Sequence, residues 1–305
     1  VTMQVTGTVL TDGGIETALE DRLGQELREF AAFELLGTAA GREALREYYR
    51  PFVELARDRE IPIVLDTPTW RANPAWGDAL GYDADALAEV NTDAVALVRV
   101  AAESLWEDGE VTVNGCVGPR FDEYERSQRM TAAEAADYHG PQVAALAEAG
   151  ADRVTSVTTL DAAEGIGVVR AARAAGIEAF VSFTVGPDGL LADGTTIVDG
   201  IRAVEAETDG YASGYLLNCA HPSEAAQALA EHAGMPELAR IVGFRLNAAL
   251  ADDEGAGDPP AEFAAGLLAL RSTAPSAIAF GGCCGTDIAH IAAVADRAIP
   301  AEPAA

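Results

Sequence analysis

Apolar and β-branched residues gather into eight short runs along the chain: GTVLTDGG (7–14), IPIVLDT (61–67), VTVNGCVG (111–118), DRVTSVTT (152–159), AFVSFTV (179–185), GYLLNCAHP (214–222), IVGFRLN (241–247) and AIAFGGCC (277–284). Their length and composition predict buried strands. Between them lie Ala-, Leu- and Glu-rich stretches at 41–59, 84–107, 131–149, 161–175, 197–207, 223–233, 259–273 and 286–297. Several carry apolar residues at three- and four-residue spacing, as at Val143, Leu146 and Ala147, and some begin on a capping residue such as Thr131 or Ser223, which predicts helices. Strand and helix therefore alternate eight times. A doubly wound sheet usually has fewer strands, so the expectation is an α/β protein with a single (β/α)8 TIM barrel, one domain over 1–305.

In such a barrel the loops that leave the C-terminal ends of the strands roof the active site. The longest irregular stretches are 21–40, 68–83, 117–130 and 248–258, and their extra length predicts an enclosed substrate. The acidic, Gly-rich ADDEGAGDPP (251–260) reads as a solvated loop.

The charge balance removes whole classes of partner. Acidic residues outnumber basic ones 49 to 20, the net charge is −29, and every basic residue is Arg. Phosphate backbones and anionic lipid headgroups need basic patches, so neither nucleic acid nor a membrane is an expected partner. No apolar run reaches the roughly 18 residues of a membrane helix, and the opening VTMQVTG has neither a basic region nor an apolar signal core, which predicts a cytoplasmic protein. Neither GGCCGT nor GCVGPR fits the GxGxxG or GxxxxGK[ST] phosphate-binding patterns, which disfavours nicotinamide and ATP chemistry. A homo-oligomer is left open.

Four cysteines, two of them adjacent, do not make a disulfide framework. Three of them fall at strand ends: Cys219 closes the sixth run, and Cys283 and Cys284 close the eighth. In a barrel these thiols converge on one face. Three soft thiolates with an open fourth position suit a tetrahedral Zn²⁺ that keeps a place for water or substrate. Gly281, Gly282 and Gly285 give the backbone the freedom to turn both adjacent thiols toward one ion. The competing reading for any single one of them is a buried core thiol.

TDGGIETALE (11–20), NGCVGPR (114–120), NCAHP (218–222) and GGCCGT (281–286), in this order, resemble the homocysteine S-methyltransferase family over nearly the whole chain, from about 8 to 297. The resemblance implies a (β/α)8 barrel with zinc held by Cys219, Cys283 and Cys284. It further implies transfer of a methyl group from a sulfonium donor, S-methylmethionine or S-adenosylmethionine, to a thiol acceptor, homocysteine, giving methionine. An ordinary thiol, with a pKa near 8.5, is mostly protonated at pH 7, and coordination to zinc removes that proton without a dedicated base.

By the same resemblance Asp12 stands near the acceptor's amino group, and Gly13 and Gly14 let the backbone approach the ligand. Thr67, Thr69, Trp70 and Arg71 follow the second run, where the family places substrate-facing residues. Arg71 could clamp a carboxylate through two parallel hydrogen bonds, and Trp70 could hold a methylated cation over its ring, packing and surface pairing being the alternatives. Glu16 is a candidate partner for a cation or a helix-start acid, and Asn218 a hydrogen-bond support beside the metal. Cys116 reads as a pocket wall and His221 as a weak candidate for a fourth ligand. His139 reads as structural, and His232 and His290 as solvated.

One departure matters. The family carries a Glu at the end of the fourth run, gripping the amino group, and Val157 stands there in this chain. A neutral Val cannot pair with an ammonium. Either Asp12, Asp66 or Glu123 takes over, or the acceptor is another thiol, or the zinc runs hydrolysis or lyase chemistry on a different small molecule.

Overall fold

A computed structural model describes residues 7–121, 127–250 and 257–298. Eight parallel strands close into a barrel in sequence order: β1 (Val9–Thr11), β2 (Ile63–Asp66), β3 (Val111–Val117), β4 (Arg153–Thr159), β5 (Ala179–Phe183), β6 (Gly214–Asn218), β7 (Ile241–Leu246) and β8 (Ala279–Gly282). Closure comes from β1 against β8, where Val9 lies opposite Ala279 and Leu10 opposite Phe280. Every strand falls within one of the eight apolar runs, so the (β/α)8 architecture expected from the pattern is the one observed.

The helices around the barrel are α1 (Ile15–Asp21), α2 (Ala39–Arg59), α3 (Pro74–Leu80), α4 (Ala84–Glu103), α5 (Ala132–Glu148), α6 (Ala162–Ala175), α7 (Ile197–Glu207), α8 (Pro222–Ala230), α9 (Pro260–Ala269) and α10 (Ile288–Ala298). Their starts follow local chemistry. Thr131 and Glu134 form a reciprocal capping box on α5, the Asp161 carboxylate accepts from Glu164 N–H on α6, and the Thr196 hydroxyl accepts from Asp199 N–H on α7. Each helix turns an apolar stripe inward; Val53, Val98, Leu146, Val169, Ile201, Leu229, Leu267 and Val294 are all buried in one continuous core with the strands. Burying a side chain of this size stabilises the fold by about 1.5–3 kcal/mol. Among the described residues no helix is long and apolar enough to cross a membrane.

Two of the stretches expected to be irregular are not. Residues 21–40 hold 3-10 turns at Arg28–Phe30 and Ala32–Gly37, and 68–83 holds α3. The expectation for 251–260 also changes at its end, where Asp258 accepts from His221 Nε2 at 3.0 Å and its carbonyl meets His290 Nε2 at 3.1 Å. His290 is correspondingly not solvated. It is buried, bonded through Nδ1 to Asp287 at 2.6 Å and set edge-on to Phe263, because α10 packs this side against α9. His139 is buried and meets Glu164 at 3.1 Å, as a structural residue would, and His232 lies half-buried in the turn after α8.

The candidate metal and substrate site

The ends of β6 and β8 deliver the three thiols. Cys219 follows the last residue of β6 and adopts φ +54°, which turns its side chain out of the strand direction and over the barrel mouth. The Cys283–Cys284 turn is tied to its neighbours by the backbone: Cys283 N–H donates to Leu246 O at 2.8 Å, Ala248 N–H to Cys284 O at 3.1 Å, and Gly282 N–H to Asp12 O at 3.0 Å. The glycine at position 14 is obligatory beside this turn, since a Cβ there would lie 2.6 Å from the Cys283 carbonyl oxygen. The three Sγ atoms end within 4.8 Å of one another, Cys219 and Cys283 at 3.0 Å.

Thiols packed this closely do not ionise independently. Hydrogen bonds from Cys219 and Cys284, helped by the Arg245 guanidinium, hold Cys283 well below the usual thiol range. The same contacts push Cys219 far above it.

A clamp from below supports Cys219. Asn218 Oδ1 accepts from Thr158 N–H at 3.0 Å and from Ser182 Oγ at 2.6 Å, while Asn218 Nδ2 donates to Thr158 Oγ1 at 2.9 Å. Thr158 Oγ1 in turn reaches Cys219 Sγ at 3.8 Å. Thr158 is itself left-handed, φ +58°, at a register shift in the β4–β5 ladder. A β-branched residue there stores of order 1–3 kcal/mol of strain, and the Asn218 hydrogen bonds hold it. Asn218, expected as a support beside the metal, contacts Thr158, which in turn reaches Cys219.

Above the barrel interior a charged bridge spans three strand ends. Arg245, at the end of β7, donates to Asp12 Oδ1 at 2.6 Å and also to Asp66 Oδ2. Asp66 accepts from Asn114 Nδ2 at 2.7 Å, and Asp66 N–H donates to Asp12 Oδ2 at 3.3 Å. Burial outweighs the guanidinium at Asp12 and raises its carboxyl to about 7. Burial likewise raises Glu16 to about 8. Below this bridge Arg153 donates to Asn114 Oδ1 at 3.1 Å, and desolvation lowers its guanidinium to about 10.

Asp12, Asp66 and Arg245 line one cavity of about 610 Å³, counted to its open mouth. Asp12, Gly13, Thr67 and Asn218 all face it, with the three cysteines, and so do Glu16, Trp70 and Val157. Gly13 is fixed by its carbonyl, which accepts from Tyr48 Oη at 2.9 Å. Thr67 bonds Thr69 at 2.7 Å and accepts from Cys116 N–H at 3.0 Å, so it stitches the β2 end to β3 as well as walling the cavity. Cys116 is a buried wall thiol, pushed far up by desolvation and outside the sulfur group.

Two candidates are placed elsewhere. Arg71 is not in the cavity wall: its guanidinium lies 3.7 Å from the centre of the Trp76 ring and donates to the Glu29 carbonyl. His221 caps α8, its ring bonded to Ser223 at 2.8 Å and to Asp258, which leaves no nitrogen for a metal. Glu123 lies outside the described residues. Sequence reasoning missed Arg245; the available signal was a charged residue inside the otherwise apolar strand run IVGFRLN.

The homocysteine S-methyltransferase family model matches residues 9–298. The chain belongs to this family. Among solved structures it is similar to the homocysteine methyltransferase MmuM from Escherichia coli in its metallated form, with 27% identity, 96% of this chain and 97% of the other covered, and a TM-score of 0.75. The oxidized form of the same protein matches at 26% identity over 95% and 96% of the chains with a TM-score of 0.75. The apo form matches at 25% identity over 96% and 97%, with a TM-score of 0.69. No protein of curated function matches the sequence. Membership makes this chain a methyltransferase, and Cys219, Cys283 and Cys284, which the family resemblance implies as metal ligands, lie together.

Proposed function

We propose that the protein is a zinc-dependent S-methyltransferase that moves a methyl group from a sulfonium donor, S-methylmethionine or S-adenosylmethionine, to a small thiol, with homocysteine as the first candidate acceptor. The observation that carries this reading is the sulfur cluster: three Sγ atoms within 4.8 Å, at the mouth of a barrel, in the wall of the cavity. The donor set fits zinc, because three thiolates satisfy three tetrahedral positions and the cavity supplies space for a fourth. Zinc bound by Cys219, Cys283 and Cys284 would supply the Lewis acidity that keeps an acceptor sulfur deprotonated at neutral pH.

The chain's own residues do the rest. Ile15, Phe30, Trp70 and Val157 give the cavity an apolar wall that excludes water and leaves a nucleophilic sulfur weakly solvated. Asn218 and Thr158 fix Cys219, and the backbone bonds to Leu246, Asp12 and Ala248 fix the other two thiols, so the acceptor is presented in one orientation. The acceptor sulfur forms the new S–CH3 bond while the donor's C–S bond breaks. The electron pair leaves with the neutral thioether, and the acceptor's proton has gone to solvent before transfer.

Replacing each thiol in turn tests the reading. Cys219→Ala, Cys283→Ala and Cys284→Ala should each lose zinc stoichiometry and turnover together while circular dichroism stays that of the parent. Turnover that survives in a zinc-free variant would refute the proposal.

A further inference from the structure

Three carboxylates line the cavity, and two are already answered. Asp12 and Asp66 share Arg245, and Asp66 also takes the Asn114 amide. Glu16 is the third. It sits in the first turn of α1, in the same wall as Phe30, Trp70, Cys283 and Cys284. No side chain among the described residues hydrogen-bonds to it or forms an ion pair with it. Ile15, Phe30, Trp70 and Val157 line the same cavity, and the Trp70 indole N–H is buried without a partner.

An acid left without a partner in an apolar wall beside a reactive sulfur set is costly unless something charged comes to meet it. Desolvation raises Glu16, and the weaker attraction of Arg71 does not offset it. Arg71 acts on Glu16 from outside the cavity wall, stacked on Trp76 and donating to the Glu29 carbonyl. A direct partner for Glu16 inside the cavity would enter with the ligand.

We infer that Glu16 is the cation-recognising residue of this cavity and receives the positively charged group of a substrate, either the ammonium of an amino-acid thiol or the onium centre of the methyl donor. The inference rests on the methyltransferase reading for the identity of the ligands and on the cavity itself for the charge they carry. Asp12 does not fill this role, because its carboxylate already holds Arg245 and the Asp66 N–H. Glu16 thereby decides which thiols and donors the cavity accepts, while the sulfur cluster decides where they react.

The test is calorimetric binding to the zinc-loaded protein and to its Glu16→Gln variant, which keeps the side-chain volume and removes the charge. The ligands are homocysteine, 4-mercaptobutyrate (the same thiol without its ammonium) and S-methylmethionine. The variant should bind at least one of the two cationic ligands about tenfold more weakly, as loss of a partly desolvated charge pair requires, and should bind 4-mercaptobutyrate as the parent does. A loss confined to homocysteine assigns the ammonium of the acceptor; a loss confined to S-methylmethionine assigns the donor; a loss on both assigns a shared subsite. Unchanged affinity for both cations, an equal loss for 4-mercaptobutyrate, or a parent that binds neither cation would overturn the inference. Methyl transfer by the parent with unaltered affinities in the variant would refute this role for Glu16 and leave the methyltransferase reading standing. Cation binding that depends on Glu16 in a protein that methylates no thiol would do the reverse.

Discussion

Removing Arg245 should expose how the cavity floor is held. The guanidinium side chain is 11% exposed and the Asp12 side chain 1%, so Arg245→Leu leaves two carboxylates facing each other in a dry site. They cannot both stay ionised at that separation, and one must take up a proton. A carboxyl of ordinary pKa 3.8 resists protonation at pH 7 by about 4 kcal/mol. Asp12 is already raised to about 7, so less than a full proton is needed and the loss falls near the lower end of the usual range for a broken buried pair, about 3 kcal/mol. With a urea slope of about 3 kcal/mol per molar, the unfolding midpoint should drop by about 1 M at pH 7.

In the variant the folded state binds a proton that the unfolded chain releases above about pH 4, so its stability is greatest at acid pH and declines as pH rises. The deficit against the parent should therefore shrink between pH 7 and pH 5. Adding Asp12→Asn to Arg245→Leu should recover at least half of it, because one of the two facing charges is gone. A deficit below about 1 kcal/mol, or one that is the same at pH 5 and pH 7.5, would show that the bridge does not work as an ion triad.

Three further outcomes follow from named contacts. Gly14→Ala puts a Cβ against the Cys283 carbonyl, so it should lose about 1–3 kcal/mol in thermal unfolding and release zinc more readily to a chelator. Asn218→Ala frees Thr158 and should weaken zinc binding about 10- to 100-fold in chelator competition, with little effect on the far side of the barrel. Glu16, ordinarily near 4.5 and raised to about 8 here, contributes stability that is full below its unfolded value and is lost as pH climbs to 8. Glu16→Gln should consequently be more stable than the parent at pH 8 by roughly 1–2 kcal/mol, discounted for its half-buried position, and no gain there in urea unfolding would contradict the assignment.

The barrel was legible because each strand run is bounded and each long helix repeats its apolar positions over several turns. Ile15–Asp21 and Pro74–Leu80 span only 7 residues each, too short for such a repeat to stand out, and so merged with loops. The thiol cluster was legible because strand ends in a closed barrel share one face, which makes positions 219, 283 and 284 neighbours without further information. Arg245 was not. Its partners Asp12 and Asp66 lie 233 and 179 residues away, and only closure of the barrel brings them to it.

Thr158 hid for another reason. Local preference argues against a left-handed β-branched residue, and the Asn218 side chain, 60 residues on, overrules it. The sequence around Arg71 does not show that its guanidinium stacks on the face of Trp76, which attracts it as a substrate carboxylate would. Periodicity alone could not show that α10 packs His290 against Phe263.

The central claim is that three cysteines at the barrel mouth hold zinc for methyl transfer to a thiol. It is tested most directly by measuring zinc in the purified, reduced protein and, in the same sample, following a thiol panel that includes homocysteine by mass spectrometry after incubation with S-methylmethionine or S-adenosylmethionine. About one zinc per chain is expected, as a single three-thiolate site requires, with a thiol that gains one methyl group. A protein that holds no zinc, or that holds it and methylates no thiol from either donor, would contradict it.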